Sequence, residues 1–144
     1  MAYRRILVPL AGETEAEHAL AVACRLAAEH RAEITAIAVI ELPAELPLDA
    51  HMLEEEAQAK GLLERAHAIA GAYGVALTGH TRRAREAGRV IVEEAERVKA
   101  EVVLLSTLTK QRGSSRTRIF GRTAGYVLQH ASCRVLLLAP PPPR

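Results

Sequence analysis

The sequence predicts an α/β domain: a single open sheet of five parallel strands with helices on both faces. Three observations predict it. Short apolar runs recur along the chain at Ile6 to Val8, Ile34 to Ile40, Val102 to Leu105 and Val135 to Leu138. Segments with apolar residues at helical spacing separate them. Strand and helix then alternate four times before a fifth strand closes the series, which calls for a parallel sheet with right-handed crossovers.

Ile6-Leu-Val8, closed by Pro9, reads as a buried central strand. Gly12 supplies the turn, and Thr14 with Glu17 forms a capping box. The helix it opens carries Ala16, Ala19, Leu20, Ala23, Leu26 and Ala27 on one face. The β-branched run Ile34 to Ile40 is the second strand, and Glu41 to Pro47 is a proline-punctuated loop. A long helix follows from about Ala50 to Ala72, with Leu53, Ala57, Leu62, Ala66 and Ile69 as core candidates and Gly71 and Gly74 marking its end. Val75 to Arg82 is a weaker, more polar strand suited to a sheet edge. The helix from Glu86 to Lys99 buries Ile91, Ala95 and Val98. Val102 to Leu105 leads into a polar, basic loop from Ser106 to Arg118, then Gly121-Arg122-Thr123, an amphipathic segment from Ala124 to His130 and the last strand. Pro140 to Pro143 cannot extend a strand. The organisation is one domain over 1–139 and a proline-rich tail at 140–144.

Composition narrows the function. The chain has 144 residues, enough for a core of its own, and 49% are hydrophobic. Only 3% are aromatic and none is Trp, which argues against stacking platforms for single-stranded nucleic acid. A net charge of +2 is too small for a general polyanion binder, so no nucleic-acid partner is expected. Cys24 and Cys133 lie far apart in apolar surroundings, which fits small buried thiols in a reducing cytoplasm. The apolar stretch before Pro9 is too short for a secretory signal, and nothing later approaches a membrane span, so the expected location is cytoplasmic with no membrane partner.

Catalytic signatures are absent: there is no Gly-x-Ser-x-Gly elbow, Walker loop or dinucleotide fingerprint. The histidines at 18, 30, 51, 67, 80 and 130 have no metal-ligand spacing, and no metal site is expected. His130 falls at a helix end, where its charge suits the dipole. Glu54-Glu55-Glu56 and Glu93-Glu94 read as solvated helix faces. The basic cluster Lys110, Arg112, Arg116, Arg118 and Arg122 is the conspicuous feature left. Arginines at this density suit bidentate phosphate contacts, and equally a solvated loop or a protein-docking surface. Ser106 and Thr107 follow the carboxyl end of a strand, the ligand edge of such sheets. Gly121 reads as helix entry or phosphate contact, and Thr123 as an N-cap or ligand group.

Arg5-Ile-Leu-Val-Pro9, the Gly121 to His130 helix start and Ala131-Ser-Cys-Arg-Val-Leu136 together resemble the universal stress protein family over nearly the whole chain. The resemblance implies a Rossmann-like fold, of the adenine nucleotide alpha hydrolase type, with sheet order 3-2-1-4-5. It also implies a homodimer paired through the fifth strand, Val135 to Leu138. Ligand is then expected at the switch between strands 1 and 4, as in open α/β sheets generally. Pro9, Leu10, Ala11, Gly12, Val39 and Ile40 would frame base and ribose. Ser106, Thr107, Gly113, Gly121, Arg122 and Thr123 would face phosphates, with Arg116 as a mobile clamp. The implied ligand is ATP or AMP, with Mg only if ATP binds.

The nucleotide-binding branch of that family spaces Gly, two residues, Gly, nine residues, Gly and then Ser or Thr. With Gly121 as the last glycine, the other positions fall on Leu108, Gln111 and Arg122. The acidic residue usual after the first strand is also replaced, in Pro9-Leu-Ala-Gly12. Side chains at those places obstruct the close backbone approach that phosphate needs. Glu41-Leu-Pro-Ala-Glu-Leu-Pro-Leu-Asp49, Phe120-Gly-Arg-Thr-Ala124 and Tyr126-Val-Leu128 look more specifically like the stress-protein domains appended to amino-acid permeases. Three functions follow: a dimeric regulatory or ligand-sensing module without enzymatic activity, a nucleotide-independent interaction domain with a regulatory protein partner, or a weak ATPase or adenylyl-transfer enzyme.

Overall fold

Strand β1 (Arg5–Leu10) is buried on both faces at Ile6, Leu7 and Val8, as a central parallel strand must be. The computed structural model describes residues 3–10, 13–106, 108–112, 115–119 and 121–139. After β1 come α1 (Glu13–His30), β2 (Glu33–Glu41), α2 (Leu53–Ala72), β3 (Leu77–Ala84), α3 (Ala87–Arg97) and β4 (Val102–Ser106). A short antiparallel pair, β5 (Leu108–Arg112) and β6 (Ser115–Ile119), precedes α4 (Gly121–His130) and β7 (Arg134–Leu138). The main sheet is all parallel with order β3-β2-β1-β4-β7, so β7 is its fifth strand and the expected 3-2-1-4-5 arrangement is the one observed.

The pleat divides the core. Ile6, Val8 and Leu10 pack with Ile34, Ala36, Val102 and Leu104 beneath α1 and α2. Leu7, Ile37, Val103 and Leu105 pack with Ile91, Ala95, Ala124 and Val127 of α3 and α4 on the other face. With hardly any aromatics, alanine makes close helix approach possible: Ala23, Ala27, Ala66 and Ala70 are all buried. Helix α2 ends in a Schellman motif, with Val75 N–H bonded to Ala70 at 2.9 Å and Gly74 N–H to Gly71 at 3.1 Å. Gly74 takes the left-handed conformation (φ 69°) that this cap requires.

Several expectations need correction. The basic loop from Ser106 to Arg118 is in its described part a hairpin, in which Leu108 pairs with Ile119 and Arg112 with Ser115. Glycine followed by serine at 113–114 was a hairpin signal present in the sequence. Arg116 sits opposite Gln111 in this ladder, so its backbone belongs to a strand and not to an irregular mobile clamp. Pro9 does not close β1 but lies inside it. Arg4 carbonyl bonds toward β2 (Glu33 N–H, 2.9 Å) and Arg5 carbonyl toward β4 (Glu101 N–H, 2.9 Å), so odd residues of β1 face β4. The β1–β4 ladder ends at Leu7 and Val103, just before the donor that Pro9 lacks would be needed to continue it.

Thr14 falls within the first turn of α1, not at its cap, and Glu17 instead accepts a hydrogen bond from Arg65 of α2 at 3.0 Å. Thr123 is the third residue of α4, past any N-cap position, whereas Gly121 begins the helix as expected. Two core candidates of α2 face outward: Leu53 is 76% exposed and Ala57 is exposed, and Ala59, Ala66 and Ala70 form the buried stripe instead. Strand β3 starts two residues later than read, and it does lie at the sheet edge. Glu94 is the largest departure. Expected on a solvated face, it is fully buried.

Candidate functional site

The carboxyl ends of β1 and β2 and the first turns of α2 enclose a cavity of about 190 Å³. Leu10, Val39 and Ile40, three of the residues expected to frame a base and ribose, line it. Ala59 and Leu62 of α2 form the opposite wall, and Glu41, Glu55 and Gln58 supply its polar rim. The volume is below the roughly 300–1,000 Å³ of drug-sized pockets.

Arg122 and Thr123, expected to face phosphates, line a different opening. It lies on the other face, between the starts of α3 and α4, with Glu41, Glu86, Ala87, Gly88 and Tyr126, and its volume is about 30 Å³. That is room for little more than water. Gly88 makes this narrowness possible, since a Cβ there would stand 2.8 Å from Tyr126 Cβ. Glu41 lines both openings, and its Oε2 accepts a 3.4 Å contact from the Ala87 N–H at the start of α3. The structure thus brings Leu10, Val39 and Ile40 together and sets Arg122 and Thr123 apart from them. Ser106 ends β4 opposite Leu138 and lines neither opening, and Pro9 is half-buried in β1 opposite Ile37. Ala11, Gly12, Thr107 and Gly113 lie outside the described residues.

Sequence reasoning missed two arginines that brace this region. They are adjacent in the edge strand β3, so the pleat sends them to opposite faces. Arg83 donates through Nε to Leu48 carbonyl at 2.9 Å and through Nη1 to Glu56 Oε1 at 2.8 Å, and it also reaches Ala50 carbonyl. It ties the segment between β2 and α2 to the sheet and so fixes the outer wall of the cavity. Arg85 adds a 2.6 Å bond to Pro43 carbonyl. Arg82 donates through Nη1 to the buried Glu94 Oε1 at 2.7 Å, and Arg97 holds the same carboxylate through Nε at 3.2 Å and through Nη2. Burial alone would raise the Glu94 carboxyl. The hydrogen bond and charge of Arg97, with the charges of Arg82 and His80, outweigh it and hold the group below the usual carboxylate range. Two adjacent arginines in a strand, which the pleat turns to opposite faces, were the available signal.

Burial pushes the Cys24 and Cys133 thiols up, and neither is in a disulfide. His130 ends α4, stacks on Tyr126 with ring centroids 4.1 Å apart and places Nδ1 3.1 Å from the Tyr126 carbonyl. Among the described residues no group of three His, Cys, Asp or Glu side chains could hold a metal ion, and no helix is long and apolar enough to cross a membrane.

The chain is 32% identical to a universal stress protein of Methanocaldococcus jannaschii, over 96% of this chain and 84% of that one. It superposes on the Archaeoglobus fulgidus universal stress protein solved with dAMP at a TM-score of 0.73, with 21% identity over 95% of this chain and 98% of that one. An Arabidopsis thaliana universal stress protein family member solved with AMP gives 0.69, with 15% identity over 94% and 91%. The model of the universal stress protein family matches residues 2–139, and with that match the chain belongs to the universal stress protein family.

Proposed function

We propose that this chain is a homodimeric regulatory module that senses an adenosine-based ligand, with the base and ribose in the cavity between β1, β2 and α2. One observation carries the reading: Leu10, Val39 and Ile40 meet around a single cavity at the carboxyl edge of the sheet, where open α/β sheets bind ligands. The family relatives with AMP and dAMP support the ligand class. Strand β7 supports the dimer, because it ends the sheet with Val135, Leu136, Leu137 and Leu138 only half-buried. The likeness of Glu41 to Asp49 to permease-appended domains supports a regulatory protein partner over a catalytic role.

Calorimetry on nucleotide-free protein tests the ligand. Adenosine and AMP are expected to give saturable heat, which Gln58→Trp removes by filling the exposed mouth while leaving the thermal midpoint in place. Absence of heat at millimolar ligand overturns the reading. Light scattering tests the dimer: twice the chain mass is expected, and a monomer overturns that part.

A further inference from the structure

The charges around the cavity point to a narrower ligand than the family relatives display. Among its described lining residues there is no lysine, arginine or histidine, and the ionisable groups are the carboxylates Glu41 and Glu55. Among the described side chains nearby, Arg83 is engaged with Glu56 and two carbonyls, and Arg65 with Glu17. Glu54 precedes Glu55 in the first turn of α2 and adds to the negative field. Arg122 stands in the other opening, with Glu86 beside it. Glu41 is the carboxylate common to the cavity and to the opening that holds Arg122. Leu108 and Gln111 also replace the glycines at which a phosphate cradle would form. Carboxylates and an amide do suit the donors of a nucleoside, since ribose hydroxyls and an exocyclic amine both donate hydrogen bonds.

Building on the cavity reading above, we propose that this site selects adenosine ligands by falling phosphate charge. It takes uncharged adenosine ahead of singly charged cyclic AMP, then AMP, then ATP. The discrimination comes from Glu41 and Glu55, which accept from the sugar or base and repel phosphate.

Calorimetric titration of the whole chain with these four compounds, at two salt concentrations, tests the order. Affinity is expected to fall at each step, with ATP at least about tenfold weaker than adenosine and the gap shrinking as salt screens it. Glu55→Gln keeps the shape of the side chain and removes its charge. It is expected to narrow the gap between adenosine and AMP while leaving the thermal midpoint near that of the wild type. Equal affinities, or ATP and AMP ahead of adenosine, overturn the charge selection and leave the cavity reading standing. A gap unchanged in Glu55→Gln overturns the role given to Glu55. Failure of all four compounds to bind overturns the cavity reading itself.

Discussion

The two faces of the sheet hold their openings by different means. On the α1/α2 face, apolar strand ends and a helix wall leave a cavity of about 190 Å³, and Arg83 ties down its outer rim. On the α3/α4 face the helices close up until about 30 Å³ remains, with Gly88 against Tyr126 and Glu94 bound beneath by Arg82 and Arg97. One face leaves a cavity at its carboxyl edge and the other is closely packed there. Arg82 and Arg83 are chain neighbours, yet each braces a different face. A basic cluster in a sequence therefore says little about which opening its charges serve until the pleat and register are known.

The largest expected effect comes from neutralising the brace of the closed face. Glu94→Gln keeps the volume but weakens bonds from two arginines. Breaking a fully buried pair costs about 3–5 kcal/mol; because Arg82 and Arg97 are partly exposed, a loss of about 2–3 kcal/mol is expected in urea unfolding at neutral pH. The pH dependence has a definite sign. The native Glu94 carboxyl titrates below its unfolded value, so its contribution is complete above the unfolded value and disappears as pH falls through the native one. The stability gap between wild type and Glu94→Gln should accordingly narrow below the ordinary carboxylate range. A gap constant down to that range and through it would mean that the two arginines do not hold the carboxylate in the native state.

Gly88→Ala acts on the same face by sterics. The added Cβ would come within 2.8 Å of Tyr126 Cβ, and a backbone-anchored atom cannot swing away. Overpacking of this kind costs about 1–3 kcal/mol. Thermal unfolding should show that loss while adenosine affinity stays near the wild-type value. A parallel loss of affinity would show that the two faces are coupled.

The fold was legible because it rests on periodicity. Continuous runs at Ile34 to Ile40 and Val102 to Leu105 and the alanine stripe of α1 fix strand and helix without reference to partners. The carboxyl ends of β1 and β2 followed from topology, and Leu10, Val39 and Ile40, expected there from the family resemblance, line one cavity. The rest depended on pairing. Glu94 looks like any helix-surface glutamate until Arg82 and Arg97 are brought to it, and the hairpin at Leu108 to Ile119 was hidden by reading its arginines as a loop. Thr123 and Arg122 were expected at phosphates from the family resemblance, and they line the smaller opening between the starts of α3 and α4.

Arg83→Met should give the smallest loss of stability and the most informative one for the open face. Arg83 is 29% exposed and its partner Glu56 is 34% exposed, so solvent screens the pair, and its removal should cost only about 1 kcal/mol. The methionine keeps most of the apolar stem packed and removes three hydrogen bonds that fix the chain between Leu48 and Glu56. Those bonds set where α2 begins, and the first turns of α2 carry Glu55 and Gln58 into the cavity rim. A freer rim has to be ordered when ligand binds, and that ordering opposes binding. Adenosine should therefore bind several-fold more weakly to Arg83→Met than to the wild type, with a larger unfavourable entropy in calorimetry. Arg82→Met, one residue away, should leave adenosine binding unchanged while costing more stability. If both substitutions weaken the ligand equally, the edge strand braces the whole carboxyl end of the sheet as one unit, and the division between an open and a closed face does not hold.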